Sequence, residues 1–158
     1  MSREVSSDGR TKRSREQQNR RSPAGRSRTS ITSRAFLWAI LALVFPDIDD
    51  EENLPSIGHA NPRADLAVPS LRTLIEVKYI RKPGQAGFKA VMDEIASDTG
   101  LYLSKSNDFD VIIAVVRDDC AQTEQHYELK SGIEQLNGVM AAIIFSRPSR
   151  MKRKKAAN

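Results

Sequence analysis

The 158-residue sequence predicts a mixed α/β domain in which helices pack on the faces of a sheet. Two apolar, β-branched runs late in the chain are separated by a stretch of helical periodicity, which is typical of strands covered by helices on both faces. Two earlier strands are separated only by a tight turn at Ser70-Leu71, which predicts a hairpin. The predicted order of elements is therefore α, short β, β, β, α, β, α, β.

A helix opens the predicted domain. Ser33 is a suitable N-cap for the apolar stretch 34–45, which contains strong helix formers and ends before a proline. We expect this helix to be largely buried, with Trp38 in the core. Residues 47–52 are predicted to form an acidic loop, and residues 53–62, with two prolines and a glycine, a short extended or irregular segment.

Strands and helices alternate through the rest of the domain. Residues 64–68 and 73–80 have the composition of two strands joined by a turn. Residues 85–104 place apolar side chains at helical spacing and predict an amphipathic helix. The last elements are predicted as a buried strand at 109–116, a helix at 123–137 that Gly138 ends, and a buried strand at 139–145.

Charge is distributed unevenly along the chain. Residues 1–34 carry ten Lys and Arg against three acidic residues, residues 147–158 carry six against none, and residues 35–146 carry nine against 17. The first segment has almost no large apolar side chains, so burial cannot offset the entropy of ordering it. We therefore expect a disordered basic arm at 1–30, a folded domain at 31–148 and a basic tail at 149–158.

The two basic segments suggest a polyanionic partner. Flexible basic arms bind nucleic acids through counterion release, with a steep salt dependence and no base specificity. A solubilising tail is an equally good explanation of a charge run, so the function must be argued from the middle of the chain.

Composition also excludes several classes of protein. A single cysteine, Cys120, cannot form a disulfide framework and lacks the partners of a structural zinc site. The longest apolar run, 35–45, has 11 residues, whereas a membrane span needs about 20. No small-x-small cleavage site follows that run, which argues against a signal peptide. We expect a soluble cytoplasmic protein without membrane contacts.

Three charged residues on the two hairpin strands form the candidate site. Glu76 and Lys78 are two apart on a strand and share one face, while the apolar side chains between them point to the other. If the turn is centred on Ser70-Leu71, residues whose numbers add to 141 pair, and Asp65 lies opposite Glu76. Directly opposed residues have Cβ atoms about 4.5 to 5.5 Å apart, so two carboxylates and one amine converge.

Two carboxylates held this close predict a divalent cation. Like charges at that distance are unfavourable unless a cation lies between them. Hard oxygen ligands without His or Cys favour Mg²⁺, with Mn²⁺ as a substitute. A slip of one residue in the pairing would move Asp65 to the opposite face and remove the site.

A chance match and a surface salt-bridge ladder are the alternatives. An E-x-K triplet arises by chance roughly 0.6 times in a chain of this length. The second such triplet, Glu128-Leu-Lys130, lies in a helical pattern where residues two apart do not face each other, and we interpret it as solvated surface. Glu76-Val-Lys78 differs because its strand is hydrophobic, an aspartate precedes it across a turn, and a helix follows.

The pattern of Asp65, ten residues, then Glu76-Val-Lys78 resembles the PD-(D/E)XK nuclease superfamily, which has the restriction-endonuclease-like fold. The resemblance covers about residues 33–148 and lies closest to the DpnII/MboI-type branch. The segments that carry it are Arg63-Ala-Asp65, Ile75-Glu-Val-Lys-Tyr-Ile-Arg81, and Asp93-Glu-Ile-Ala-Ser-Asp98 leading to Tyr102.

The resemblance implies a function and a role for each site residue. The function is Mg²⁺-dependent hydrolysis of phosphodiester bonds in nucleic acid, with DNA as the expected substrate and a 5′-phosphate as the product. Asp65 and Glu76 are implied metal ligands, assisted by the Val77 carbonyl. Lys78 would orient or deprotonate the attacking water and offset charge in the transition state. Its pKa is pulled in both directions, down by a metal ion and up by the carboxylates.

Two departures from the superfamily pattern stand out. The proline that commonly precedes the aspartate is Ala64 here, with Pro62 nearby. Many members place a glutamate on the first helix, where residues 34–45 have none. Glu51 or Glu52, just beyond the helix, is the candidate replacement.

Other polar residues have simpler explanations. Arg81 and Lys82 follow the active strand and are candidates for gripping a phosphate backbone, with an exposed strand end as the alternative. Glu94, Asp98 and Tyr102 share one side of a helix, which we interpret as a polar surface more readily than as the border of the site. His59 and His126 are interpreted as structural or solvent-facing, and Cys120 as an ordinary thiol.

Two further functions compete with the nuclease. One is a catalytically silent nucleic-acid-binding or regulatory subunit with the same fold. The other is a scaffold or defence-complex subunit whose arms bind an acidic protein surface. The predicted domain 31–148 leaves little room for a separate domain that reads the DNA sequence. Sequence specificity would therefore need loops, the arms or a homodimer.

Overall fold

The structure, a computed structural model, describes residues 28–56, 59–103 and 108–147. Most of the predicted basic segments 1–30 and 149–158 lies outside these residues. The helices and strands follow the predicted order, and short 3₁₀ turns at Pro69–Leu71 and Thr123–Gln125 join some of them. The elements are α1 (Arg28–Leu41), β1 (Asp49–Asp50), β2 (Leu66–Val68), β3 (Thr73–Ile80), α2 (Gln85–Leu103), β4 (Val111–Asp118), α3 (His126–Glu134) and β5 (Val139–Ser146).

The five strands form one mixed sheet with the spatial order β1-β2-β3-β4-β5. The first three strands pair antiparallel, and β3, β4 and β5 pair parallel. Leu66 lies opposite Ile75 and Val68 opposite Thr73, which is the register predicted from the turn. The 3₁₀ turn ends at Arg72, whose φ of 51° reverses the chain between β2 and β3. The mixed α/β fold predicted from the sequence is confirmed.

Helices cover both faces of the sheet. On one face, α2 and α3 pack on alternate residues of the central strands, including Ile80 and Val116. On the other face, Leu37 and Leu41 of α1 pack on a cluster that contains Val77 and Val115. Because side chains of β3 alternate between these faces, Glu76 and Lys78 are directed toward α2.

Two predictions of burial are wrong. The helix α1 is not largely buried: Phe36 is 67% exposed and Trp38, predicted to lie in the core, is 40% exposed. The strand β5 is not buried either, since Ile143 is 54% exposed. β5 is the last strand of the sheet, so one of its edges has no neighbouring strand in the described part of the chain. Only one side of α1 contacts the sheet, and its other apolar side chains therefore face outward.

The short first strand is placed earlier than predicted. Asp49–Asp50 within the expected acidic loop pairs with Ala67 and Leu66, whereas the expected extended segment 53–62 contributes one isolated bridge, between Asn53 and Arg63. Strand pairing beside β2 needs only backbone groups, so the acidic side chains of β1 remain exposed. Among the described helices, none is both long and apolar enough to cross a membrane.

Candidate active site

The centre of the site is a charged pair on an otherwise apolar strand. Glu76 is only 5% exposed, and Leu74 and Ile80, which point to the same face of β3, are fully buried. Lys78 Nζ donates to Glu76 Oε1 over 2.7 Å. The alternation of a strand alone places these two side chains side by side, as the sequence predicts.

Asp65 joins this pair through the backbone of the hairpin. It lies one residue before β2, at the position that continues the observed pairing to Glu76. Its N–H donates to Glu76 Oε2 over 3.4 Å, and its carboxylate Oδ2 accepts the N–H of Val77 over 3.0 Å. The structure therefore brings the three predicted residues, Asp65, Glu76 and Lys78, into one cluster.

Helix α2 contributes two further side chains. Asp98 Oδ2 lies 2.5 Å from Lys78 Nζ, so the ammonium is held between two carboxylates. The buried Tyr102 hydroxyl lies 3.0 Å from the Arg63 carbonyl oxygen and 3.3 Å from Glu76 Oε2. The preferred interpretation of Asp98 and Tyr102 as plain helix surface is wrong. Asp98 and Tyr102 are four residues apart and therefore share one side of the helix. That spacing was the available sequence signal that both side chains face the preceding strand.

Burial and charge shift the pKa values of the cluster. Burial raises the pKa of Glu76 to about 7, against the opposing effect of the adjacent Lys78 ammonium. Burial alone would lower the pKa of Lys78, but the charges and hydrogen bonds of Glu76 and Asp98 outweigh it, and the pKa is raised. Burial and the neighbouring carboxylates raise the pKa of Tyr102 as well. Lys78 is thus a cation at neutral pH.

Arg34 of α1 lies beside Asp65, on the side toward α1. Its Nη1 lies 3.9 Å from Asp65 Oδ1, its Nε lies 3.2 Å from Asp50 Oδ1, and it also pairs with Glu51. Sequence reasoning missed Arg34. A basic residue directly before the apolar stretch 35–45, followed by the acidic run 47–52, was the only sign that the two segments pair.

The acidic residues after α1 do not complete a metal site. The Glu51 carboxylate is bound by Arg34 and by Arg63, whose Nη1 lies 2.8 Å from Glu51 Oε2. Glu52 contacts the segment before β2 through its backbone, since its carbonyl oxygen accepts the N–H of Ala64. Within residues 28–56, 59–103 and 108–147, no group of three or more His, Cys, Asp or Glu side chains is arranged around a metal position.

The cluster opens into a cleft of about 430 Å³. Arg81 and Lys82, at the end of β3, line it together with Arg34, and Glu94 lines it from α2. The Arg81 guanidinium lies 5.2 Å from the centre of the Tyr79 ring. Gly87 is required in the cleft wall because a Cβ there would lie 2.0 Å from the Lys82 carbonyl oxygen. Basic side chains therefore border the carboxylates.

The remaining candidates lie away from the cleft. His126 Nε2 is 2.9 Å from a carboxylate oxygen of Asp118, which is fully buried at the end of β4. The same aspartate accepts the N–H groups of Cys120 and Gln122. His59 is exposed. Among the described residues, none of the side chains that line the cleft is a histidine or a cysteine.

The donor set suits Mg²⁺. The ion binds proteins through one or two carboxylates and keeps several waters, which substrate phosphates can replace. Asp65 and Glu76 supply two carboxylates beside an open cleft, without the nitrogen or sulfur ligands that favour zinc.

Comparison with known proteins identifies the family. A family model described as REase_DpnII-MboI, for the DpnII-MboI restriction endonucleases, matches residues 12–149. Searches of curated proteins and of solved structures found no match. The matched segment spans most of the chain and includes the whole sheet and the cleft. This chain therefore belongs to the DpnII-MboI family of restriction endonucleases, which are enzymes that cut DNA.

Proposed function

We propose that this chain is a Mg²⁺-dependent DNA endonuclease whose catalytic residues are Asp65, Glu76 and Lys78. The observation that carries the proposal is the convergence of two carboxylates and an ammonium in a cleft bordered by Arg81 and Lys82. Membership of a restriction endonuclease family supports the reaction class and the DNA substrate. The metal and the role of each residue are our inference from the geometry.

Asp65 and Glu76 would hold the metal ion, with the Val77 carbonyl as a further oxygen ligand. When bound, the ion would supply Lewis-acid activation of the phosphate and of a water molecule. The hairpin backbone fixes both carboxylates before any ion arrives, since the Val77 N–H donates to the Asp65 carboxylate and the Asp65 N–H donates to the Glu76 carboxylate. Mn²⁺, which takes the same oxygen ligands, is expected to substitute for Mg²⁺.

Lys78 acts in this proposal as a positioned cation. Two carboxylates hold its ammonium at 2.5 and 2.7 Å, and its raised pKa keeps it protonated. It would orient the attacking water and offset the negative charge that develops on the phosphate oxygens. Of the two roles that the sequence left open, this favours charge stabilisation over proton abstraction by Lys78. Hydrolysis would leave a 5′-phosphate.

Arg81 and Lys82 are proposed to contact the DNA backbone. Both are exposed, and both line the cleft next to the carboxylates. Cations at such a position would bind phosphates on either side of the cut and would also counter the acidic charge of residues 35–146. The basic segments 1–34 and 147–158 add a sequence-independent attraction to DNA.

A catalytically silent DNA-binding subunit remains the second candidate, and one experiment separates the two. Lys78→Ala should leave the affinity for a DNA duplex within about twofold and lower cleavage at least about 100-fold. Lys130→Ala is the matched control, because Lys130 follows Glu128 in the same E-x-K spacing and both side chains are exposed on α3. Binding without cleavage by the unmodified protein, in Mg²⁺ and in Mn²⁺, would favour the silent subunit.

A further inference from the structure

Arg34 fixes a positive charge next to one of the proposed metal ligands. Its side chain is only 14% exposed, and its guanidinium is held by Asp50 at 3.2 Å and by Glu51. From there Nη1 lies 3.9 Å from Asp65 Oδ1. Three elements, α1, β1 and the hairpin, therefore determine where this cation lies.

Nη1 lies on the side of Asp65 where a second metal ion that shared this carboxylate would have to bind. In two-metal sites the ions lie about 3.5 to 4 Å apart and a carboxylate commonly lies between them. An ion bound by Asp65 and Glu76 would share Asp65 with any second ion, and the side of Asp65 toward α1 is the side that faces Arg34. A second divalent cation would meet a guanidinium there.

Arginine already pairs with the carboxylates on that side of Asp65. The sequence of α1 contains no Asp or Glu. Of the carboxylates that follow the helix, Asp50 pairs with Arg34, and Glu51 pairs with Arg34 and Arg63. The described residues contain no group of three acidic or histidine side chains around a metal position. The carboxylates of Asp50 and Glu51 are already paired with arginine, and a divalent ion beside Asp65 would be repelled by the Arg34 guanidinium.

We propose that the site binds a single divalent cation per chain, and that Arg34 supplies the positive charge beside Asp65 at the position of a second ion. This inference rests on the proposed function, because it takes Asp65 and Glu76 as the ligands of the first ion. It assigns Arg34 a role in the site that sequence reasoning missed. Arg34 limits the number of metal ions and also lines the cleft that DNA would enter.

The test is a count of bound metal ions on the full chain without DNA. Mn²⁺ is titrated into the protein, and free Mn²⁺ is measured by electron paramagnetic resonance. The Asp65→Asn variant, measured in parallel, gives the number of ions bound elsewhere on the acidic segment 35–146. We expect one Mn²⁺ above that number for the unmodified protein and two for Arg34→Glu. Lys130→Glu makes the same charge change at an exposed position of α3 and should leave the count at one.

A neutral substitution tests the same role of Arg34 if Arg34→Glu fails to fold. Arg34→Gln removes the nearby positive charge and should tighten the binding of the single Mn²⁺ by about tenfold, through reduced like-charge repulsion. Unchanged or weaker binding by Arg34→Gln would overturn the role of Arg34. Two ions in the unmodified protein, both lost in Asp65→Asn, would overturn the inference and leave the proposed function intact. No ion that depends on Asp65 would overturn both.

Discussion

Asp65 and Glu76 face each other across the hairpin, and the N–H of Asp65 donates to Glu76 Oε2 over 3.4 Å. The next backbone N–H along β3, that of Val77, binds the Asp65 carboxylate over 3.0 Å. Two acidic side chains that would otherwise repel each other are thus held together by main-chain donors on two strands. The hairpin pre-organises the site, so the stability and the chemistry of this region are linked.

Asp98 is expected to be essential for efficient cleavage although it lies on a different element from the three proposed catalytic residues. Asp98→Asn removes the 2.5 Å ion pair that fixes Lys78 from the side of α2. We predict a decrease in kcat of about 10- to 100-fold, the range typical of residues that orient a site, with a small change in KM. Steady-state cleavage kinetics measure both constants.

Asp93→Asn is the control for this prediction. Asp93 lies on the same helix but forms an exposed ion pair with Lys89, so its replacement should leave cleavage unchanged. Asp98→Glu should recover part of the lost activity because it retains a carboxylate. Equal kcat values for Asp98→Asn and Asp93→Asn would contradict the proposed role of Asp98.

Removal of the Tyr102 hydroxyl should weaken both the fold and metal binding. Tyr102→Phe leaves the Arg63 carbonyl without its 3.0 Å partner and takes away a contact to Glu76. We expect a loss of about 1 kcal/mol in the free energy of unfolding and a severalfold weaker affinity for Mg²⁺. Urea denaturation and calorimetric titration measure the two effects. Tyr127→Phe, on an exposed ring, should change neither quantity.

The metal-free protein should lose stability as the pH rises through neutrality. Burial raises the pKa of Glu76 to about 7, above its ordinary value of 4.5. Between these two values the folded state binds a proton that the unfolded state has released, so the contribution of Glu76 to stability is full below about pH 4.5 and is lost as the pH rises through about 7.

Replacement of the carboxylate isolates this contribution. At pH 8 without metal, Glu76→Gln should be more stable than the unmodified protein by on the order of 2 to 3 kcal/mol, and at pH 5 the two should be similar. Mg²⁺ should stabilise the unmodified protein at pH 8 and have little effect on Glu76→Gln. Denaturant unfolding at both pH values provides the comparison, with Glu128→Gln as an exposed control. A difference independent of pH would contradict the prediction.

Asp118 should be among the most sensitive positions for stability outside the cleft. Its fully buried carboxylate accepts the N–H groups of Cys120 and Gln122 and pairs with His126. Asp118→Ala leaves these donors unsatisfied and should cost about 3 kcal/mol or more in the free energy of unfolding. The exposed Asp110, which pairs with Arg72, is the matched control, and Asp110→Ala should have little effect.

The same aspartate predicts an acid dependence. Burial would raise the pKa of Asp118, but the hydrogen bonds from His126 and the two N–H groups outweigh burial and lower it. A lowered pKa means that Asp118 contributes stability above its ordinary pKa of 3.8 and that this contribution is lost as the pH falls below it. Acid unfolding of Asp118→Asn should therefore depend less steeply on pH than that of the unmodified protein.

Sequence reasoning reached the centre of the site because strand geometry is local. Residues that are two apart on a strand share a face, which places Glu76 beside Lys78. A tight turn fixes which residues of the two strands pair, so the turn at Ser70-Leu71 predicts that Asp65 lies opposite Glu76. The bounds of β3 were predicted without error, and those of β2, α2, β4, α3 and β5 differ by at most three residues at each end. The first helix, predicted at 34–45, is Arg28–Leu41, and the first strand lies in the predicted loop 47–52. The superfamily resemblance rested on the same residues.

The parts that sequence reasoning missed depend on contacts between distant segments. Asp98 lies 20 positions from Lys78, and Arg34 lies 31 from Asp65, so only the packing of α2 and α1 on the sheet brings these pairs together. The exposure of Phe36 and Ile143 was missed for a related reason. An apolar pattern predicts that a residue prefers burial, but which strand lies at the sheet edge is decided by topology.

Cleavage of a labelled DNA duplex by the unmodified chain and by Glu76→Gln tests the central claim most directly. Each protein is incubated with Mg²⁺, with Mn²⁺ and with a chelator, beside single-stranded, branched and RNA substrates, and Glu128→Gln serves as the control. We predict metal-dependent cutting of DNA by the unmodified chain and by Glu128→Gln, no cutting in chelator, and at least about a 100-fold loss in Glu76→Gln. Cutting that persists in chelator, or that Glu76→Gln retains, would contradict the proposed site.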